Sequence, residues 1–179
     1  MSSLSKKDAP RGLTEVETDV PQDGFLVSKT DLKGYITYAN RIFAQACGYS
    51  IEQLLGSNHN LIRHPDMPQI AFKLLWQRIQ TKSEFFGFVK NLRRDGGFYW
   101  VFAYITADIN DTGDIVGYTS IRRRASREGI NEVEPLYRQL CDVERSEGVA
   151  GSQKLLNNIL ESNRCSYDEF VMALQKGEL

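Results

Sequence analysis

The run Phe98 to Ala107, Phe-Tyr-Trp-Val-Phe-Ala-Tyr-Ile-Thr-Ala, restricts what this chain can fold into more than any other segment. β-branched and aromatic residues dominate it and neither Pro nor Gly interrupts it, so it predicts a strand. Alternation with period two puts Tyr99, Val101, Ala103 and Ile105 on one face and Trp100, Phe102, Tyr104 and Thr106 on the other. Both faces are apolar. A strand of this kind has to be covered on both sides. If one face encloses a ligand, the other needs an arm, the C-terminal helices or a partner chain to keep water from its aromatic row.

The flanking sequence supplies the rest of a sheet. Asp95-Gly96-Gly97 turns this strand back onto Phe85 to Arg93, and a turn at Asp111 to Asp114 leads into a third strand, Ile115 to Arg123. Upstream, Phe25 to Ser28 and Tyr35 to Tyr38 flank Asp31-Leu32-Lys33-Gly34, whose glycine allows the positive φ of a tight hairpin. Between hairpin and meander lie helical signals. Asn40 caps a stretch with Ile42, Phe43, Ala46 and Cys47 that ends at Gly48, and Ser50 with Gln53 forms a capping box for a short helix ending at Gly56. Ser57 to Pro68 has no period and holds both histidines, so it predicts an irregular loop. Asp66 is placed to cap a longer helix with Ile70, Phe72, Leu74, Leu75, Trp76 and Ile79 on its apolar stripe, ending near Lys82.

Three regions follow: a flexible N-terminal arm at 1–22, a globular α+β domain at 23–125 built on a five-stranded antiparallel sheet with helices on one face, and a C-terminal helical extension at 126–179. In the extension a helix starts or kinks at Pro135, Leu155 to Leu160 marks a second, and a capping box of Ser166 and Glu169 opens a third. The formal net charge is −1 and the one basic run, Arg122 to Arg124, is isolated, which argues against nucleic-acid binding. Cys47, Cys141 and Cys165 are odd in number and widely spaced, against a disulfide framework or a zinc site. No apolar run approaches the length of a membrane span, so a cytoplasmic protein is expected, recruited to the inner membrane only through a partner.

The span Phe25 to Arg124 resembles a PAS domain, and His-Asn-Leu-Ile-Arg-His-Pro-Asp-Met-Pro, His59 to Pro68, resembles the flavin-binding PAS domain of bacterial aerotaxis receptors. The run starting at Val89, the strand Tyr99-Trp100-Val101, the strand Gly117 to Arg122 and the piece Val133 to Tyr137 carry the resemblance further. It implies non-covalent FAD and redox or oxygen sensing, with His59, Arg63, His64, Asp66, Trp76 and Asn91 contacting the flavin or shaping its pocket, and Asn40 as a further candidate. Phe85 stands where the family has Trp; it keeps an aromatic slab and loses the indole donor. The resemblance implies a sensor without catalytic residues that signals to a separate chemotaxis-type transducer or another signalling protein, with a homodimer as a further arrangement.

Each of these residues has a plainer reading as well. Asn91 shares a strand face with Phe85, Gly87 and Val89, so it is either a contact to a flavin's polar edge or a strand-end turn residue. Arg63 places charge near the ring or the pyrophosphate, or pairs with Asp66 on the surface; Asp66 itself caps the following helix. His59 and His64 are structural loop histidines or pocket walls, and Trp76 is core by default. The alternatives to FAD are a haem held by His59 or His64, a cofactor-free dimerisation or interaction module, and a small flavin oxidoreductase, for which no nicotinamide fingerprint is present. The aromatic face of the second meander strand is expected to be the output surface, or to be covered by the chain's own ends.

Overall fold

The computed structural model describes residues 3–178. Five strands form one antiparallel sheet in the order β2-β1-β5-β4-β3, with β1 at Leu26–Thr30, β2 at Ile36–Ala39, β3 at Phe85–Leu92, β4 at Phe98–Ile109 and β5 at Ile115–Arg124. The β1–β2 hairpin turns at Gly34, whose φ of 81° is one that a side chain with Cβ rarely adopts. β4 extends two residues past the predicted end because Asp108 and Ile109 still pair with Gly117 and Ile115.

The register puts the two faces of β4 where alternation places them. On the inner face Val89 sits opposite Val101, Asn91 opposite Tyr99 and Ala103 opposite Arg122, while Phe88 sits opposite Phe102 on the outer face. Helices α1 (Arg41–Cys47), α2 (Ile51–Leu54) and α3 (Gln69–Gln80) lie against the inner face. The α1 cap is Asn40, which accepts from the Phe43 amide at 2.9 Å, and the Ser50–Gln53 capping box is present. Phe43, Leu54, Leu61, Tyr99 and Val101 fill the core between them.

The outer face is covered by the chain itself. Helix α4 (Arg127–Ser162) and helix α5 (Tyr167–Lys176) bring Ile130, Val133, Tyr137, Leu140, Val171 and Leu174 against Phe88, Trp100 and Phe102. They also close the free edge of β3: the Tyr137 hydroxyl donates to the Phe88 carbonyl at 2.8 Å. Helix α4 neither starts nor breaks at Pro135, contrary to the expectation; Ser126 caps it and the non-helical residue inside is Gly148, at φ 72° and ψ −175°. Pro135 costs one backbone hydrogen bond, which the burial of Val133, Tyr137 and Leu140 outweighs.

Two further expectations need correction. The N-terminal segment, expected to be flexible, has almost no regular structure, yet it runs along the domain. Thr14 and Thr18 donate to the carbonyls of Gly96 and Phe98, Val20 is buried, and Glu17 pairs with Arg127. Its backbone bonds go to a neighbouring turn and strand, so a local period was never needed to hold it. Asp66 does not cap α3 either: Pro68 occupies the cap without a side-chain hydrogen bond, and the Glu144 carboxylate of α4 accepts from the Gln69 and Ile70 amides, each at 2.8 Å.

Candidate functional site

Between the inner face of the sheet and α3 lies a largely apolar cavity of about 120 Å³, open to solvent at its mouth. Leu75, Trp76 and Ile79 of α3 form one wall, and Val89, Ala103 and Ile105 of the meander form the other. Trp76 is held edge-on against Tyr118, with ring centroids 5.4 Å apart. The result is a slot with mostly apolar walls.

Its polar groups come from β1, β3, β5 and the turn that carries His59. Asn91 is 4% exposed, and its amide nitrogen finds no hydrogen-bond partner among the described residues. Arg122, opposite Ala103 of β4, is 2% exposed; one guanidinium nitrogen donates to Ser28 Oγ at 2.6 Å, while Nε and Nη1 have no partner among the described residues. Ser28 Oγ lies 3.1 Å from His59 Nε2, and the His59 ring stacks at 5.8 Å on Phe43. Burial, aided by the charge of Arg122, lowers the His59 pKa to about 3, so the imidazole is neutral. Because the serine accepts from Arg122, its own proton points to His59, whose Nε2 is then the acceptor.

Of the residues expected at a site, His59, Arg63, Trp76 and Asn91 line this cavity. Arg63 does not pair with Asp66. Its guanidinium lies 4.0 Å over the Phe72 ring and donates to the Met67 carbonyl at 3.4 Å. Phe85 is buried at the far end with Leu75, Ile79 and Tyr118, stacked on Tyr167 of α5 at 5.9 Å; it seals the slot rather than lining it. Gly87 does not present bare backbone to the slot, since a Cβ there would meet the Phe85 ring and the Tyr167 hydroxyl at 3.0 Å.

Asn40, His64 and Asp66 do not reach the cavity. Asn40 is spent on backbone, accepting from Val27 and Phe43 and donating to Phe25. The His64 ring packs edge-on to Phe98 and accepts from the Asp66 amide at 3.2 Å; burial lowers its pKa to about 4. The Asp66 carboxylate is drawn to Lys90, 2.8 Å away, whose buried ammonium also reaches Glu134 of α4 at 3.2 Å and lies 4.3 Å over the Phe98 ring. Sequence reasoning missed Arg122, Ser28, Ser120 and Tyr118, all on the cavity wall. Alternation along β5 was the available signal, because it places Tyr118, Ser120 and Arg122 on the face of Ala103.

With this geometry in place, comparison with known proteins assigns the fold. A family model described as the PAS fold matches residues 36–122. This stretch is a PAS domain. Over 128 residues, 72% of the chain, it is 44% identical to the aerotaxis receptor of Escherichia coli (strain K12), of which it covers 25%. Over 109 residues, 61% of the chain, it is 35% identical to the nitrogen fixation regulatory protein of Klebsiella pneumoniae, covering 22% of it. The chain thus spans about a quarter of the length of these curated relatives.

Solved structures share the fold of the PAS domain. A light-oxygen-voltage domain studied with a flavin analogue superposes with a TM-score of 0.54 at 22% identity, covering 61% of this chain and 82% of that one. The light-state structure of the blue-light photoreceptor Aureochrome1 LOV gives 0.53 at 24% identity, covering 66% and 90%. Among the described residues no helix is long and apolar enough to cross a membrane.

Proposed function

We propose that the PAS domain holds FAD without covalent attachment and that the protein is a redox or oxygen sensor, cytoplasmic and signalling by contact to a separate chemotaxis-type transducer or similar protein. The observation that carries the reading is the Asn91 amide, buried and unpartnered among the described residues on the wall of a largely apolar slot. An isoalloxazine ring is flat and apolar except along one edge, and that edge requires groups that both donate and accept. Asn91 does both. The 44% identity to an aerotaxis receptor supports the same reading.

A bound flavin would supply an electron couple whose charge and proton content at the polar edge depend on redox state. The chain's part is to detect that edge and pass its state on. Asn91 follows directly on Lys90, which points to the opposite face and ties the loop through Asp66 to α4 through Glu134. A change in the hydrogen bonding of Asn91 therefore bears on the C-terminal helices within one residue of β3. This makes the helical extension the output element and not a bare sheet face, since α4 and α5 cover Trp100 and Phe102.

The test is the absorption spectrum of freshly purified protein before and after dithionite, with the released cofactor identified by mass. Paired near-ultraviolet and blue bands that bleach on reduction, with the mass of FAD, are expected. A Soret band would instead assign the cavity to haem, with the neutral His59 as the ligand at hand, and a colourless protein would leave a cofactor-free interaction module.

A further inference from the structure

Arg122 is a cation buried without a counter-ion. Its side chain lies on the inner face of β5, 2% exposed, and among the described residues no carboxylate pairs with it. What surrounds it is neutral: the Phe43 ring 4.2 Å from the guanidinium carbon, the Ser28 hydroxyl, and the buried Tyr99 and Cys47, whose burial raises both their pKa values. Two of its nitrogens have no acceptor. A guanidinium taken out of water this way costs several kcal/mol unless something answers its charge, and a π face with one hydroxyl answers little of it.

Its neighbours leave one direction for an acceptor. Arg122 lines the same cavity as Asn91 and Ser120, and the Ser28 hydroxyl that meets it is already directed to His59. We propose that Arg122 selects the charge of the cavity's ligand: the site is built for a flat heteroaromatic that presents a negative charge or a polarised carbonyl oxygen to Arg122 while Asn91 meets its donor and acceptor edge. The inference rests on the flavin reading for the ligand's identity but not for its charge. For a flavin, Arg122 then binds the reduced form, which carries the added negative charge, more tightly than the oxidised form. Arg63, the cation expected from the sequence, is instead occupied by Phe72 and the Met67 carbonyl.

The experiment is a dithionite titration of the intact flavin-loaded chain against a reference dye, for wild type, Arg122→Gln and Arg122→Lys. Loss of the charge in Arg122→Gln is expected to reduce the preference for reduced over oxidised flavin at least tenfold, a fall of about 30 mV in midpoint for a two-electron couple. Arg122→Lys keeps most of the wild-type preference. Equal midpoints in wild type and Arg122→Gln overturn the proposal. A second arm needs no flavin: the stripped protein is melted as wild type and as Arg122→Met. An unanswered buried charge predicts a melting temperature for Arg122→Met no lower than wild type, and a clear drop would show that the protein itself compensates Arg122. If the wild-type protein purifies without flavin, the flavin reading fails and this melting comparison decides the role of Arg122 alone.

Discussion

Glu144 of α4 caps α3 from 75 residues away in sequence, its two carboxylate oxygens accepting the Gln69 and Ile70 amides at 2.8 Å each. The first amides of a helix lack partners within the helix, and the positive end of its dipole favours a carboxylate. Helix α3 forms a wall of the cavity, so the C-terminal extension holds one side of the site in place. Removing the cap in Glu144→Ala should cost about 1–2 kcal/mol, with Glu144→Gln losing less because it can still accept. Urea unfolding measures this. A Glu144→Ala protein as stable as wild type would mean that water serves the two amides equally well.

Stability should fall in mild acid, and the histidines set the window. Burial lowers His59 to about 3, with help from Arg122, and lowers His64 to about 4, only partly opposed by Asp66. In the unfolded chain both take up protons near 6.5. Between that value and the folded values the unfolded state binds more protons, so stability is full above about pH 6.5 and declines below it, by at most ~1.4 kcal/mol per pH unit for each histidine. Asp66 adds to the loss at lower pH. Burial alone would raise its pKa, but the hydrogen bond and charge of Lys90 outweigh it and leave it below its ordinary value, so its contribution disappears as pH falls through the folded value. Denaturant midpoints at about pH 7 and pH 5 check this: His64→Gln should show a smaller drop than wild type, and an identical drop would remove His64 from the account.

Blue light should leave the protein's spectrum unchanged. Although the fold is shared with light-oxygen-voltage domains, none of the three cysteines lines the cavity: Cys47 is buried in α1, Cys141 is in α4 and Cys165 lies between α4 and α5. Burial also raises the Cys47 pKa and suppresses its thiolate. Illumination of the flavin-loaded protein is expected to produce no adduct with a thiol. A blue band that bleaches in light and recovers in the dark would contradict this placement.

The fold was legible where local chemistry decides it. The β4 faces follow from alternation, and the caps at Asn40, Ser50 and Ser166 follow from side chains three residues from the amides they serve. What escaped depends on distant partners. Asp66 stands close enough to α3 to look like its cap, yet Lys90, 24 residues on, takes its carboxylate. Arg122 opens a run of three arginines that reads as solvated surface, while the pleat turns Arg122 inward and Arg123 outward, and Arg124 is exposed at the end of the strand. Pro135 reads as a helix boundary because propensity is local, whereas the burial that overrides it comes from the sheet.

The same distinction separates the two readings of Asn91. As a strand-end residue its side chain would meet water or a turn amide; in the structure it is buried on the cavity wall with its amide nitrogen unpartnered among the described residues. An unsatisfied buried amide costs about 1–3 kcal/mol, so Asn91→Leu should leave the flavin-free protein at least as stable as wild type. With flavin present the effect reverses, because the ligand's polar edge loses its partner. Flavin affinity measured by ultrafiltration should fall by roughly 5- to 150-fold, the equivalent of ~1–3 kcal/mol, and Asn91→Gln should recover part of it only if the longer side chain fits against Val89. Undiminished affinity in Asn91→Leu, with unchanged stability, would return Asn91 to the status of an ordinary strand residue.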